Sequence, residues 1–388
     1  MEKYLEELEG AYIRKIQELK EINEYLYLNP ELGREEYKAC KKYSDILKRH
    51  GFLVETNFCE IETAFLGKYI SNKKGPKIAL LCEYDALPEI GHGCGHNILG
   101  VTSLGAGLIL KEYIEELGGE LYIIGTPAEE TNGAKVDMVE KGVFKDMDAA
   151  IIVHPTGECH KKSGTSQAME TLRFRFKGKT AHAASQPHEG INALDGVLCL
   201  FNSINALRQQ IIPTARIHGI ISDGGKAANI IPDFAEAKFY VRATELSYLR
   251  ELVEKVKNCA KGASIATGTE LEIDNYEYGF ANLVTNNKLS EIYMKNLQIL
   301  GVKNIGEASG MGSTDAGNVS HCCPTIHPYF PISDNPIIGH STEFAKASIS
   351  DKAYKGMKEA ILAISLTGLE LMINKESLQS IKDEFHKK

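Results

Sequence analysis

The stretch IALLCEYDALPEIGHGCGHN, residues 78–97, is the best guide to the fold. It joins a short apolar run, typical of a buried strand, to a turn and then to glycines that alternate with His92, Cys94 and His96. A cysteine and a histidine two residues apart, on a glycine-rich backbone after a strand, can direct a thiolate and an imidazole at one point. This pattern predicts part of a divalent metal site, whose other ligands must come from elsewhere in the chain.

Strands and helices alternate on both sides of this stretch. An amphipathic helix is predicted from Leu5 up to Asn29-Pro30, a helix rich in Gly, Ala and Leu over 98–117, and buried strands at 121–125 and 149–153. Alternation of this kind predicts an α/β domain, with a mixed sheet flanked by helices. Polar residues cluster where the strands end, which is the usual position of a site in such a sheet.

The pattern changes between residues 168 and 280. Apolar and charged residues alternate there along predicted strands, and the element order β-α-β-β-α-β is that of a ferredoxin-like unit. We therefore predict a discontinuous first domain, residues 1–167 and 281–388, with a second domain inserted at 168–280. The first domain is predicted to end in a long helix over about residues 345–373.

Composition excludes several classes of protein. The 388 residues are 43% hydrophobic and 25% charged, typical of a globular protein with more than one core. A net charge of -8 argues against a nucleic-acid partner. The sequence has no apolar run of the roughly 20 residues that a membrane span needs. The N-terminus lacks a signal peptide, so the nine cysteines are expected to be free thiols in a cytoplasmic protein.

Further candidate ligands stand at the predicted strand ends: Glu129 and Glu130, His154, and His340 in a turn before the last helix. With Cys94 and His96 they supply one thiolate, three imidazoles and two carboxylates. Such a set, with a water, suits two divalent ions better than one. One of the adjacent carboxylates can bind metal while the other serves as a general base. Mixed soft and hard donors fit Zn²⁺ and tolerate Mn²⁺ or Co²⁺.

Each of these residues also has an ordinary structural interpretation. The glycines can simply form a tight turn without binding anything, and His154 can be a hydrogen-bonded core residue. A Glu-Glu pair usually lies on a solvated surface. Only their joint placement at successive strand ends favours a site. His92 is left open, and five other histidines are assigned to the surface or to structure: His50, His160, His188, His218 and His386.

Seven segments, in this order, resemble one family: EYDALPEIGHGCGHN, GTPAEE, the His-Pro at 154, GKTAHAASQPHEGINALD, AANIIPDFAEAKFYVRA, GSTDAGNVS and GHSTEF. The chain is similar to the dinuclear-metal amidohydrolases related to aminoacylase, carboxypeptidase G and acetylornithine deacetylase. The subgroup it resembles most holds aminobenzoyl-glutamate hydrolase and an aminoacylase-like dipeptidase that cleaves β-alanyl-lysine. The resemblance spans nearly the whole chain and implies that the inserted domain is a lid and dimerisation domain.

The resemblance also implies roles for individual residues. The metal ligands would be Cys94, His96, Glu130, His154 and His340. Glu129 would be the general base, and Asp85 would orient a ligand. His182 would reach the partner subunit's site and help to hold the oxyanion, while Asn229 and Arg242 would bind the substrate's carboxylate. Without the resemblance, His182 and Arg242 would be taken as outward-facing residues. Many relatives carry Asp at the position of Glu83, and the subgroup accepts Glu there.

These observations predict a cytoplasmic, homodimeric hydrolase with two divalent ions per subunit. It would cleave the amide of an N-acyl amino acid or a dipeptide-like substrate with a free carboxylate, using metal-activated hydroxide and Glu129. Ser313, in a glycine-rich turn, is a weaker candidate for binding substrate through its hydroxyl or its backbone N–H. One alternative is a single-metal deaminase, but its PCxxC run is missing. The other is a non-catalytic protein that binds a peptide-like ligand on the same fold.

Overall fold

The computed structural model describes residues 1–308, 310 and 312–387. The chain forms two compact units. Unit 1 comprises Met1–Thr165 and Leu283–Lys388, and unit 2 comprises Ser166–Asn282. Among the described residues, unit 1 contains two sheets and two hydrophobic cores, and unit 2 contains one of each.

The N-terminal part of unit 1 alternates helices with short strands. Its helices are α1 (Leu5–Leu28), α2 (Tyr37–Arg49), α3 (His96–Leu117) and α4 (Ala134–Glu140). Its strands are β1 (Leu53–Thr56), β2 (Phe65–Ile70), β3 (Lys77–Cys82), β4 (Glu120–Gly125), β5 (Ala149–Ile151), β6 (His154–Thr156) and β7 (His160–Lys161). The first helix stops at Leu28, as predicted, because the following Asn29-Pro30 disfavours helical backbone.

Unit 2 has the predicted element order. Its elements are β8 (Ala168–Lys177), α5 (Ala193–Leu207), β9 (Arg216–Asp223), β10 (Phe234–Ala243), α6 (Leu246–Thr267) and β11 (Glu270–Asp274). The strands form an antiparallel sheet in the order β11-β8-β10-β9. Alternate residues of β10, such as Phe239 and Val241, are fully buried in the core, which is the period-2 pattern seen in the sequence. The predicted ferredoxin-like unit is therefore confirmed.

The C-terminal part of unit 1 contains most of its remaining helices. Its elements are α7 (Asn287–Ile299), β12 (Ile305–Gly306), α8 (Ala316–Ser320), β13 (Thr325–Ile326), β14 (Tyr329–Pro331), α9 (Thr342–Ala347), α10 (Asp351–Ile373) and α11 (Lys375–His386). The single final helix predicted over 345–373 was wrong in two respects. It is interrupted before Ser350, whose hydroxyl caps α10, and α11 follows it, capped by the side chain of Asn374.

The main sheet of unit 1 has the order β1-β2-β4-β3-β5-β13. Strands β4, β3, β5 and β13 are parallel neighbours, whereas β1 and β2 pair antiparallel, so the sheet is mixed as predicted. Successive residues of β3 face opposite cores: Ile78 and Leu80 pack with the helices α1, α3 and α10, while Ala79 and Leu81 pack on the other face. The parallel strands end at one edge, and the site lies beyond that edge.

A second, smaller sheet was not predicted. Its order is β12-β7-β14-β6. The sequence placed one strand over 149–153 with His154 directly after it, but β5 ends at Ile151 and His154 begins β6. His154 pairs with Tyr329 in parallel register. This pairing holds the backbone of His154 beside the C-terminal part of the unit, which no local sequence pattern indicated.

Two expectations from composition can be compared with the structure. All nine cysteines are free, including the adjacent Cys322 and Cys323. Among the described residues, no helix combines the length and the apolar character that a membrane crossing requires.

Candidate metal centre

The glycine-rich stretch turns the chain sharply between β3 and α3. Gly95 has φ +77°, a conformation that side chains disfavour, and an added Cβ there would lie 2.6 Å from a carbon of Pro155. Helix α3 begins directly after it at His96, two residues earlier than predicted. The glycine therefore places His96 in the first turn of a buried helix and brings it against the segment that contains His154.

The structure brings the five predicted ligands together in two groups that share one residue. Ligand atoms of Cys94, His96 and His154 lie within 4.8 Å of one another, and we call these residues the inner group. Ligand atoms of Cys94, Glu130 and His340 also lie within 4.8 Å of one another, and we call these residues the outer group. The side chain of Cys94 thus belongs to both groups.

Neighbouring acceptors fix the imidazoles of the inner group. Nδ1 of His154 donates to the carbonyl of Pro155 at 2.7 Å, so its Nε2 has a free lone pair and lies 3.4 Å from Cys94 Sγ. Burial lowers the pKa of His154 to about 3, which keeps the ring neutral. Nδ1 of His96 is 2.9 Å from Asp85 Oδ1, which leaves its Nε2 to face a metal.

The outer group is held by backbone geometry on a more open surface. His340 has φ +60°, and its N–H donates to the carbonyl of Gly93 at 2.9 Å. Its Nε2 lies 3.2 Å from Glu130 Oε1, and this contact raises the pKa of His340. The side chain of His340 is 58% exposed, whereas that of His96 is 0% exposed. The two groups therefore differ most in burial.

Three unsatisfied atoms show that this cluster fits a cation. Within the part of the chain that the structure describes, His96 Nε2, Glu130 Oε1 and Glu83 Oε2 are buried without a hydrogen-bond partner. Buried polar atoms are normally satisfied, and unsatisfied ones indicate an ion or a water. Donors bound to one zinc at 2.0–2.3 Å lie roughly 3.3–3.7 Å apart in a tetrahedral shell. The contacts in the inner and outer groups are 3.4 and 3.2 Å, within or just below this range, so the residues fit a divalent metal.

The adjacent glutamates diverge, as expected. The backbone of Glu130 donates to Asp85 Oδ2 at 2.9 Å, so Asp85 anchors two ligands through its two oxygens. The preceding Ala128 has φ +65° and donates to the buried carboxylate of Glu36 at 2.8 Å. Glu129 has a ligand atom within 4.8 Å of both His96 and Glu130. Burial, and next the charge of Glu130, hold the pKa of Glu129 well above its usual value.

Known proteins resemble this chain over most of its length. Residues 167–267 match the family described as the peptidase dimerisation domain. The Xaa-Arg dipeptidase of Mus musculus is 33% identical over 390 residues, which cover 94% of this chain and 88% of that protein. One subunit of the p-aminobenzoyl-glutamate hydrolase of Escherichia coli is 34% identical over 276 residues, which cover 66% of this chain and 57% of that protein.

Solved structures share the fold. A dinuclear metal binding peptidase of the M20 family from Bacillus subtilis superposes with a TM-score of 0.66 at 19% identity, covering 92% of this chain and 98% of the other. An aminobenzoyl-glutamate utilization protein from Klebsiella pneumoniae gives 0.71 at 19% identity, with the same coverage. The chain belongs to the M20 peptidase family. The resemblance inferred from the sequence is confirmed, and this M20 peptidase is a metal-dependent hydrolase of amide bonds. The non-catalytic alternative gains no support.

Three predicted residues of the M20 peptidase lie in unit 2. Nδ1 of His182 accepts hydrogen bonds at 3.2 Å from the backbone N–H groups of Ala184 and of Ser185. The next residue, Ala183, donates to the carbonyl of Asn229 at 3.1 Å, which places His182 and Asn229 side by side. Arg242 lies on β10, and its guanidinium is 5.4 Å from the ring centre of Tyr240. Within this unit Arg242 is therefore on a different element from the other two.

Several residues around the proposed ligands were not predicted from the sequence. His327 stacks on His154 with ring centres 5.5 Å apart, and Tyr329 lies against both rings. His327 and Tyr329 both lie in the segment HPYFPI, residues 327–332. Lys135 is fully buried, a position that a lysine in sequence does not predict.

His92 and Ser313 are the two weaker candidates. Over residues 1–308, 310 and 312–387, the ligand groups do not include His92. It is buried, and its Nε2 lies 3.1 Å from the carbonyl of Leu26, so its place is structural. Ser313 is half-buried in the loop before α8.

Proposed function

We propose that this M20 peptidase hydrolyses dipeptides or N-acyl amino acids with a free carboxylate, at a centre of two divalent ions. The observation that supports the proposal most strongly is the pair of ligand groups that share Cys94. When bound, divalent ions lower the pKa of water and polarise a carbonyl oxygen. The ligands would be Cys94, His96, Glu130, His154 and His340, and Zn²⁺ or Mn²⁺ would be the metal.

Glu129 would move the protons. Its carboxyl lies close to one member of the inner group and one of the outer group, His96 and Glu130. Its raised pKa suits a group that takes a proton from the attacking water and then gives it to the departing nitrogen. Asp85 would act through other residues, because its two oxygens hold the ring of His96 and the backbone of Glu130.

His182 would donate a hydrogen bond to the oxygen that becomes negative in the transition state. Because its Nδ1 accepts from two backbone N–H groups, the proton of the neutral ring is on Nε2, which can then donate. Asn229, beside it, and Arg242 would bind the substrate's carboxylate, for which the guanidinium fork is well suited. Ser313 is a further candidate for contact with substrate.

The two compact units support the division into a catalytic domain, residues 1–167 and 281–388, and a lid and dimerisation domain, residues 168–280. We also propose that the protein is a cytoplasmic homodimer in which His182 serves the partner's site. The match of residues 167–267 to a peptidase dimerisation domain supports the dimer.

Mixing two inactive variants tests whether the site is shared. Glu129→Ala and His182→Ala would each be inactive alone. Co-refolded in equal amounts they should form mixed dimers with one intact site, and recover about one quarter of the wild-type activity if pairing is random. If His182 serves its own subunit, every site has one defect and no activity returns. A monomer in light scattering would also contradict the proposal.

The central experiment combines metal analysis with a substrate screen. Protein purified without chelator is assayed for bound metal and against Xaa-Arg dipeptides, β-alanyl dipeptides and N-acyl amino acids. We expect two divalent ions per chain and turnover of at least one class, with activity lost on chelation and restored by Zn²⁺ or Mn²⁺. Bound metal without turnover of any of these amides would contradict the proposed substrate class. Protein that neither binds metal nor needs it would contradict the proposed centre.

A further inference from the structure

A buried ion cluster lies behind the ligand groups in unit 1. The ammonium of Lys135, on α4, is 2.6 Å from Glu83 Oε1 and 2.7 Å from Asp315 Oδ1. The three side chains are essentially inaccessible to solvent. Two carboxylates and one ammonium leave an excess negative charge in a medium where an uncompensated charge is costly.

The second oxygen of Glu83 faces the metal centre. Glu83 Oε2 lies 3.3 Å from Nε2 of His96, the nitrogen that Asp85 leaves free on the opposite side of the ring. Neither of these two atoms has a hydrogen-bond partner in the described part of the chain, so the contact between them is not itself a hydrogen bond. Two buried donor atoms 3.3 Å apart have the separation expected of two ligands of one ion.

The rest of the cluster holds Glu83 in place. The backbone of Lys135 donates to Asp315 Oδ2 at 3.2 Å, while its ammonium donates to Oδ1, so both ends of Lys135 are fixed by one carboxylate. Gly133 allows this close approach, because an added Cβ there would lie 2.4 Å from Asp315 Oδ2. The arrangement leaves Oε1 of Glu83 bound to a fixed cation and Oε2 unsatisfied.

We propose that Glu83 is a further ligand of the ion held by His96, and that Lys135 and Asp315 position it. This inference rests on the proposed metal centre and adds a carboxylate to the ligands inferred from the family resemblance. The excess charge of the buried cluster is then neutralised by the bound ion. A carboxylate that shares its oxygens between an ammonium and a metal binds the metal through one oxygen only.

The test compares Glu83→Gln with wild-type protein after removal of metal. Gln keeps the length of the side chain and removes its charge, while Glu359→Gln, which alters the partner of His160, is the matched control. Zn²⁺ affinity is measured by competition with a chromophoric chelator, and ligation is followed by the visible absorption of Co²⁺-loaded protein. We expect Glu83→Gln to lower the affinity for one of the two ions by at least about tenfold and to change the absorption spectrum of the Co²⁺-loaded protein. The control should alter neither.

Circular dichroism of the metal-free proteins separates loss of ligation from loss of fold. If Glu83→Gln does not fold, Glu83→Asp is the second variant, because it keeps the charge and shortens the side chain by one methylene. It should still lower the affinity for one ion and alter the cobalt spectrum. Wild-type affinity and an unchanged spectrum in the folded variant would overturn the inference while leaving the two-ion centre intact. Wild-type protein that binds no metal would instead overturn the proposed function.

Discussion

The inner and outer ligand groups share Cys94 but differ in how they are held. The inner group is buried, and hydrogen bonds to Asp85 and to the carbonyl of Pro155 fix its rings. The outer group depends on His340, which is 58% exposed and lies in a loop with left-handed backbone. Ions bound to these groups would therefore differ, one held rigidly and away from water and the other more accessible. We expect the inner ion to be retained longer and the outer ion to exchange more readily.

The largest effect is expected at Glu129, which lies close to both groups. Glu129→Gln removes the group that moves protons and should lower kcat by about 100- to 10,000-fold. Metal content should stay at the wild-type level, because Glu129 is proposed to move protons and not to bind metal. Steady-state kinetics with metal analysis checks this, and Glu140→Gln, at the end of α4, is the control. Near-normal kcat would remove Glu129 from the mechanism.

The second-largest effect should distinguish Cys94, which belongs to both groups, from His154, which belongs only to the inner group. Cys94→Ser should weaken the binding of both ions, because the thiolate belongs to both groups. His154→Ala should weaken mainly the binding of the inner ion. Metal retained after dialysis against chelator gives the comparison, and Cys322→Ser is the matched control for loss of a free thiol. Retention of one ion at full affinity in Cys94→Ser would contradict the sharing of the thiolate.

Asp85 is expected to have a smaller effect, spread over both groups. Asp85→Asn keeps the shape but weakens the acceptors for the ring of His96 and the backbone of Glu130. Loss of such supporting contacts typically costs about 10- to 100-fold in metal affinity. Chelator competition measures it. A loss confined to the outer ion would contradict the role of Asp85 in orienting His96.

The smallest effect concerns pH. Glu130 raises the pKa of His340, so in metal-free protein this ring holds its proton at a pH where His154, with a pKa of about 3, is neutral. The inner group contains such a ring too: burial disfavours the charged form of His96, but the carboxylate of Asp85 holds its pKa well above the usual value. A metal must displace both protons, so acidification should weaken the binding of both ions. The pair of Glu130 and His340 should stabilise the metal-free fold at low pH and lose that stabilisation as pH rises through the raised pKa. Metal titrations at several pH values measure the first effect, and binding of either ion that does not weaken on acidification would contradict it.

Periodicity predicted the fold well, because each unit buries faces that repeat at the spacing of a strand or a helix. The βαββαβ order of unit 2 and the alternation in unit 1 followed from it. It missed the short β6, whose partner β14 is far away in sequence, and the interruption before α10. That interruption depends on a hydroxyl cap at Ser350 and not on a change in hydrophobicity.

The candidate site was predictable where a proposed ligand follows a strand in the parallel part of the sheet, as with Glu130 and His154. The approach of His340 to Glu130 depends on a loop conformation that the sequence does not encode locally. Lys135 was missed for a different reason: an isolated lysine is normally exposed, and its burial is explained only by two carboxylates from distant parts of the chain.

The most direct measurement is a calorimetric titration of metal-free protein with Zn²⁺, for the wild type and for His340→Ala. We expect two ions per wild-type chain with different affinities, and one ion per chain in the variant, bound with the affinity of the tighter wild-type site. A single ion in the wild type, or equal loss of both ions in His340→Ala, would contradict the existence of two ligand groups joined by Cys94.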